Sequence, residues 1–198
     1  MGLKSNVLNA LASAPVRWIN FSFANRMLSP ILYWSLAGLV DKNKITCETN
    51  SSLNDTAMYD VTNNKLIASD GSYGETYFYQ KALLIHECTH AILDCYYNGR
   101  DMNNKKAGSI TVLQDETIAY LAQAFYLVAA KGNMPSNSGA PDYKAVQIVK
   151  PKLDPIIQGG WTGCSTINFT TADVLSLQTS IKAEPAYSNW ASTAVHNG

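Results

Sequence analysis

The chain has 198 residues, enough for one domain with a sizeable core or for one domain with a small appended subdomain. Its 46% apolar and 15% charged residues are typical of a globular protein and exclude a disordered one. The 15 basic and 15 acidic residues balance, which argues against a nucleic-acid-binding surface driven by bulk charge.

The sequence predicts no membrane-spanning segment and no standard secretion signal. The longest apolar stretch, residues 27–40, has 14 residues, which is short of the ~20 that a spanning helix needs. The segment after Lys4 is too short and too polar for the apolar part of a signal peptide. We therefore expect a cytoplasmic protein, or one that is exported without a standard signal peptide.

The first third of the chain predicts two helices separated by the aromatic-rich residues 16–28. Residues 3–13 form the first helix, which ends near Pro15 because proline cannot continue a helix, and residues 30–40 form a second, buried helix. Residues 45–56 are mostly polar and are expected to form a loop.

A β-hairpin is predicted next. Residues 57–61 and 65–68 have the composition of two short strands, and the sequence Thr-Asn-Asn at 62–64 lies between them. Asparagine tolerates the positive φ angle that a tight hairpin turn needs. The pattern therefore places two strands directly ahead of the motif that follows.

The most informative stretch is residues 86–90, which read His-Glu-Cys-Thr-His within an apolar run. On an α-helix, residues four apart share a face, so His86 and His90 can bind one metal ion together. Glu87 then points toward the same site and is placed to take a proton from a water molecule on the metal. Two unliganded imidazoles buried on one apolar helix would each need a partner, which makes a chance occurrence the weaker interpretation.

The four cysteines leave the redox state open. Cys88 and Cys95 would lie about 10 Å apart along the predicted helix, which is too far for a disulfide between them. Cys47 and Cys164 can pair only if the fold brings them together. Cys88 points away from the histidine face and is expected to be a packing residue.

The helix that carries the motif is predicted from about residue 76 to 97, and a second strong helix covers residues 109–131. Residues 133–142 are rich in proline, glycine, serine and asparagine and form the clearest break in the chain. Close helix approach is expected because the second helix carries small residues, Ala119 and Ala122.

Beyond the break, helices are predicted near residues 142–157 and at 172–183, where Thr171 is the expected cap. The predicted fold is α+β and mainly helical. We expect residues 1–132 to form a metal-binding core with N-terminal helices, and residues 133–198 to form a helical C-terminal extension packed on the same domain.

A zinc site needs a third protein ligand besides the two histidines, with water in the fourth position. The version with a third histidine six residues after His90 fails, because position 96 is a tyrosine. The second helix instead carries Glu116 within an otherwise apolar sequence, where a carboxylate is costly unless it is paired or ligating. The alternative is that Asp115 and Glu116 are first-turn carboxylates that favour the helix dipole.

Residues 86–90 followed by Glu116-x-x-Ala119 resemble the gluzincin branch of the zincin metallopeptidases, in which a glutamate on a later helix is the third ligand. The chain is also similar to small, uncharacterised bacterial proteins with an HExxH and Glu-x-x-Ala-Tyr core, which leaves the substrate unassigned. The resemblance covers roughly residues 57–130. It implies a zincin-like core, a Zn²⁺ ion held by the two histidines and Glu116, and substrate-side strands in the predicted hairpin.

Thermolysin-like gluzincins also supply a histidine and a tyrosine late in the chain to stabilise the oxyanion. His196 is the one histidine left for that role here. Candidate tyrosines are Tyr120, which shares a helix face with the predicted third ligand, and also Tyr143 and Tyr187.

One carboxylate on the HExxH helix is a candidate for a supporting role. Asp94 lies four residues after His90 on the ligand face, so it is placed to orient an imidazole. A surface carboxylate at the end of the helix is the alternative interpretation.

Together, the residues and the resemblance predict a zinc-dependent hydrolase, foremost a metallopeptidase that acts on a peptide or protein substrate. In this hypothesis Glu87 is the base and the two histidines with Glu116 hold the metal. The competing hypothesis is a zincin-like binding or scaffold protein whose metal is structural or inactive. An exported effector protease is a variant of the first hypothesis.

Overall fold

A computed structural model describes residues 2–97, 110–132, 135–160, 165–185 and 187 of the chain. Within these residues the architecture is α+β, with helices packed around two small sheets of three strands each. Each sheet contains both parallel and antiparallel neighbours. The mainly helical α+β class predicted from the sequence is confirmed.

The two N-terminal helices lie where the sequence predicts them, as α1 (Leu3–Ala12) and α2 (Pro30–Asp41). Between them the structure has elements that the sequence analysis does not predict: a 3₁₀ helix (Ala14–Trp18) and a hairpin of β1 (Phe21–Phe23) and β2 (Arg26–Leu28). The hairpin turns through two residues, both of which have positive φ angles.

The second sheet has the order β3-β5-β4, with β3 at Thr46–Thr49, β4 at Ala57–Asp60 and β5 at Lys65–Ala68. The antiparallel pair of β4 and β5 confirms the predicted hairpin, and Asn64 has the expected positive φ of 51°. The loop predicted at 45–56 is partly wrong, because β3 pairs in parallel with β5. As an edge strand with largely exposed side chains, β3 accommodates a polar sequence.

The HExxH helix is α3 (Phe78–Ile92), which continues directly into a π-helical turn (Leu93–Tyr97). The second strong helix is α4 (Val112–Ala130). It begins with a capping box: the Gln114 backbone N–H donates to the Thr111 hydroxyl at 3.2 Å, and the Thr111 N–H donates to the Gln114 side chain at 2.9 Å.

The C-terminal part contains α5 (Pro141–Gln158), β6 (Ile167–Asn168) and α6 (Leu175–Ala183). Both predicted helices are present, but α6 begins later than predicted. Thr171 does not cap it, because residues 171–174 form a turn ahead of the helix.

Helix α4 is the centre of the molecule, since it packs against α3, α5 and α6. Its Phe125 stacks on Phe21 with 5.1 Å between the ring centroids, which joins the first sheet to the helical core. Among the described helices none is long and apolar enough to cross a membrane. The division of the chain at residue 132 stays a prediction.

The structure agrees with the packing role predicted for Cys88 and leaves the pairing of Cys47 with Cys164 open. Cys88 is buried in the hydrophobic core, as a packing residue should be. Within the described part of the chain, Cys47 and Cys95 also form no disulfide. The pair considered between Cys47 and Cys164 involves a residue outside the described part of the chain.

Candidate metal centre

The contact between α3 and α4 brings the three predicted ligands together. His86 and His90 come from α3 and Glu116 from near the start of α4, and one ligand atom of each lies within 4.8 Å of the others. His86 and Glu116 are buried, and His90 is half-buried. This is a group that could hold a metal ion.

Both imidazoles direct Nε2 toward the Glu116 carboxylate. His86 Nε2 lies 3.4 Å from Glu116 Oε2, and His90 Nε2 lies 3.8 Å from Glu116 Oε1. Ligand bonds of 2.0–2.2 Å in a tetrahedral site separate the ligand atoms by roughly 3.4 Å. The observed spacing therefore suits a metal ion between the three side chains with only small movements.

The other ring nitrogen of each histidine is held by a residue of α4. His86 Nδ1 is 3.0 Å from Gln123 Oε1, and His90 Nδ1 is 2.6 Å from Asp115 Oδ1. Because these oxygen atoms accept hydrogen bonds, they favour a proton on Nδ1 and leave the Nε2 lone pair for a metal ion. This arrangement is typical of histidines that bind metals.

A buried carboxylate oxygen provides a separate test of the fit. Glu116 Oε2 is buried and has no hydrogen-bond partner among the described residues, although it lies close to His86. An unsatisfied buried carboxylate oxygen is costly unless it binds a cation. The donor set of two imidazoles and one carboxylate is also one that zinc accepts. The residues present therefore fit a metal ion.

Closely spaced opposite charges shift the pKa values of the three candidate ligands. Burial lowers the pKa of His90, but the charges of Asp115 and Glu116 outweigh it and raise this pKa to about 10. Burial raises the pKa of Glu116, but the two histidines outweigh it and lower this pKa to about 2. Glu116 is thus the ionised form that binds metals, whereas a metal ion has to displace a proton from His90.

Glu87 lies beside the first histidine and faces β4. Its Oε2 accepts a hydrogen bond of 2.8 Å from the Tyr59 backbone N–H. Burial raises the pKa of its carboxyl, while the neighbouring histidines oppose this shift. A carboxylate with a raised pKa is better matched to proton transfer near neutral pH than an ordinary one.

Comparisons of the chain with protein-family models, with curated proteins and with solved structures gave no significant match. The geometry of the site therefore carries the functional argument.

The candidate oxyanion donors fall in different places. The Tyr120 ring meets His86 edge-on, with 4.6 Å between the centroids. Tyr187 lies in the turn after α6, where burial and the charge of nearby Glu116 raise the pKa of its hydroxyl well above the usual range. Tyr143 instead has Lys144 over its ring.

His196 lies outside the described part of the chain, so its predicted role stays a prediction. Asp94, the predicted partner of an imidazole, accepts a hydrogen bond of 2.8 Å from the Tyr59 hydroxyl. Asp115 occupies the position at His90 Nδ1 instead. Asp94 therefore braces β4 against the end of the HExxH helix.

Two supporting residues were not given these roles by the sequence analysis. The sequence pattern assigns Asp115 to the first turn of the helix as a carboxylate that favours the dipole, and it assigns Gln123 no role. One signal was available in the sequence for Gln123, which follows Glu116 by seven residues and so lies on the same face of α4. Which histidine each one meets depends on how the two helices cross, and the sequence does not show that.

Proposed function

We propose that this protein is a zinc-dependent hydrolase with a zincin-like core that acts as a metallopeptidase. One observation carries the proposal: the Nε2 atoms of both histidines face the buried Glu116 carboxylate. Their Nδ1 atoms are engaged by side chains of α4 that lie behind the imidazoles. His86, His90 and Glu116 would hold the ion. When bound, zinc would supply a Lewis acid that polarises a carbonyl group and activates water.

In this proposal Glu87 is the general base. The Tyr59 N–H anchors one oxygen of its carboxylate, which leaves the other oxygen to take a proton from the attacking water. The same carboxyl then delivers the proton to the leaving amine of a peptide. Its raised pKa supports this exchange, because the group has to hold the proton between the two steps.

The position of β4 supports a peptide substrate. β4 is an edge strand, and its Tyr59 contacts Glu87 beside the metal group. Besides the Tyr59 N–H, which Glu87 engages, the edge of a sheet offers further backbone groups, to which an extended peptide can add as a further strand. A substrate aligned along β4 would place a peptide bond near Glu87.

The proposal is tested by separating metal binding from chemistry. Glu87→Gln should retain zinc and lose roughly 100- to 10,000-fold in hydrolysis rate, because only the base is removed. His86→Ala should lose the zinc as well. Zinc content is measured after zinc-replete expression. The hydrolysis rate is measured with labelled casein and with a mixed quenched-fluorescence peptide library. Glu48→Gln, on an exposed edge strand, is the matched control and should behave as wild type.

Two outcomes would contradict the proposal. If the wild-type protein holds no zinc after zinc-replete expression, the proposed metal site is wrong. If zinc is retained and hydrolysis does not depend on Glu87, the proposed catalytic role of Glu87 is wrong, and a scaffold protein with a structural metal is favoured.

A further inference from the structure

We propose that Tyr59 and Asp94 are positioning residues for Glu87: the bond between their side chains holds β4 at the place along the HExxH helix where its backbone anchors this base. The inference rests on the proposed function, because Glu87 is a base only if the protein is a metal-dependent hydrolase. It gives a role in the reaction to two side chains that are not candidate metal ligands.

Tyr59 contacts the HExxH helix and the π-helical turn that continues it. Its backbone N–H donates to Glu87 Oε2 at 2.8 Å, and its side-chain hydroxyl donates to Asp94 Oδ2 at 2.8 Å. Asp94 follows Glu87 by seven residues, or about two helical turns, so both carboxylates lie on the side that faces β4. One residue of the strand is therefore fixed at two places along the helix, which sets both its position and its orientation.

The packing of β4 does little to fix its place. β4 is an edge strand, and its one neighbour in the sheet is β5. Of its four side chains only that of Ala57 is buried, and Met58 is 41% exposed. Burial of a single methyl group stabilises less than a hydrogen bond to a charged group. The bond between Tyr59 and Asp94 is therefore a main determinant of where β4 lies on the helix.

The single hydroxyl proton of Tyr59 goes to Asp94. Burial and the bond to this carboxylate raise the pKa of the hydroxyl well above its ordinary value, so the hydroxyl stays protonated. Asn64 Oδ1, at the turn of the β4–β5 hairpin, also lies 2.8 Å from the hydroxyl oxygen. A carboxylate is the stronger acceptor of the two. The hydroxyl thus joins the hairpin to the end of the HExxH helix.

The position of the Glu87 carboxylate follows from that of the strand. Its Oε2 is held by a backbone N–H, which moves only when β4 moves. A displacement of about 1 Å in an active site can cost roughly 100-fold in rate. The two histidines are held separately, since their partners Gln123 and Asp115 belong to α4. Loss of the contact with Asp94 should therefore lower the hydrolysis rate and leave the zinc affinity unchanged.

The first test compares catalysis with metal binding. Asp94→Ala removes the contact with the helix but leaves the Tyr59 hydroxyl its contact with Asn64, and Tyr59→Phe removes both contacts. Each variant should lose about 10- to 100-fold in kcat and keep the zinc affinity of the wild type. The loss should appear in kcat and little in KM, because the base acts in the transition state and does not bind the substrate.

Two further variants make this test specific. Asp94→Asn keeps an oxygen atom that accepts from Tyr59, so it should restore most of the rate that Asp94→Ala loses. Tyr79→Phe is the matched control, because the Tyr79 hydroxyl donates to Asp142 Oδ2 at the same distance of 2.8 Å but joins α3 to α5. Its kcat should equal that of the wild type. Rates are measured per bound zinc, with a quenched-fluorescence peptide that the wild type cleaves.

The second test measures the anchor of Glu87 directly and needs no activity. The bond to Glu87 protects the Tyr59 amide from hydrogen exchange. Asp94→Ala should make this amide exchange about 10-fold faster, with and without zinc, and Tyr79→Phe should not. Exchange is followed by NMR of the ¹⁵N-labelled protein. A purely structural role of Asp94 would instead accelerate exchange in β5 and α4 to the same extent. That result, or unchanged exchange at Tyr59, would contradict the inference.

The outcomes separate this inference from the proposed function. If the wild type binds no zinc or hydrolyses no peptide, both are wrong. If the wild type is active and Asp94→Ala has the same kcat, this inference alone is wrong. A loss of zinc affinity in Asp94→Ala that accounts for its lower rate also overturns the inference, because Asp94 would then act on the metal ligands. If circular dichroism shows that Tyr59→Phe does not fold, the comparison of Asp94→Ala with Asp94→Asn decides.

Discussion

The two histidines of the metal centre are held by different kinds of partner, which define a Gln123 end and an Asp115 end of the site. At one end, His86 Nδ1 meets the neutral amide oxygen of Gln123 at 3.0 Å. At the other end, His90 Nδ1 meets the carboxylate of Asp115 at 2.6 Å, and this carboxylate is only 2% exposed. Both partners belong to α4, so one helix supplies two supports of different charge to two otherwise equivalent histidines.

This difference shows that the HExxH spacing sets where the imidazoles lie but not how strongly each binds. A hydrogen bond to an ionised group is roughly twice as strong as one between neutral groups. A carboxylate partner also increases the basicity of the imidazole that it holds. We therefore expect the Asp115 end to contribute more to metal affinity than the Gln123 end.

The largest expected effect is that of Asp115→Asn. The variant keeps the shape of the side chain and an oxygen that can accept from His90, but it removes the charge. Zinc affinity should fall about 10- to 100-fold, as is typical when a partner of a metal ligand is changed. Competition titration with a chelator measures the change.

Asp94→Asn is the matched control for that variant. Asp94 lies in the π-helical turn that follows α3, four residues after His90, but its carboxylate accepts from the Tyr59 hydroxyl. Its zinc affinity should stay at the wild-type value. Loss of zinc affinity in Asp94→Asn, with none in Asp115→Asn, would reverse the assignment of the two carboxylates.

A smaller effect is expected from Gln123→Met, which keeps a similar side-chain length and removes the acceptor. The His86 Nδ1–H group would then be buried without its partner, at a cost of about 1–3 kcal/mol in the free energy of unfolding. Zinc affinity should fall by about 10-fold, the low end of the range for such partners. Urea denaturation and the chelator titration measure the two quantities. A fall as large as that of Asp115→Asn would show that charge does not distinguish the two ends.

The helices and the central hairpin were predictable because local patterns determine them. Asn64 supplies the positive φ that the β4–β5 turn requires, and α2 begins at a proline in its first turn, where proline is favoured. The β1–β2 hairpin was not predictable in this way. Its turn residues Ala24 and Asn25 have φ angles of 50° and 58°, and alanine is not a residue that signals such a turn.

The ligands of the site were predictable from spacing and burial, whereas their partners were not. Glu116 stood out because an apolar helix carries it at a position where an unpaired charge is costly. Asp115 did not, because an acidic residue in a first turn has an ordinary explanation in the helix dipole. The choice between Asp94 and Asp115 depends on the crossing of α3 and α4. Packing of the whole chain sets that crossing, and no local pattern reports it.

The smallest expected effect concerns the start of α4, where Asp115 and Glu116 lie. Thr111→Ala removes the capping-box hydroxyl and should lower the free energy of unfolding by about 1 kcal/mol. Thr111→Ser keeps the cap and serves as the control, with urea denaturation as the measurement. Zinc affinity should change much less than in Asp115→Asn, because packing against α3 and α5 still holds the first turn. An equal loss of zinc affinity in the two variants would mean that rigidity of this turn, and not the charge of Asp115, sets the strength of the His90 end.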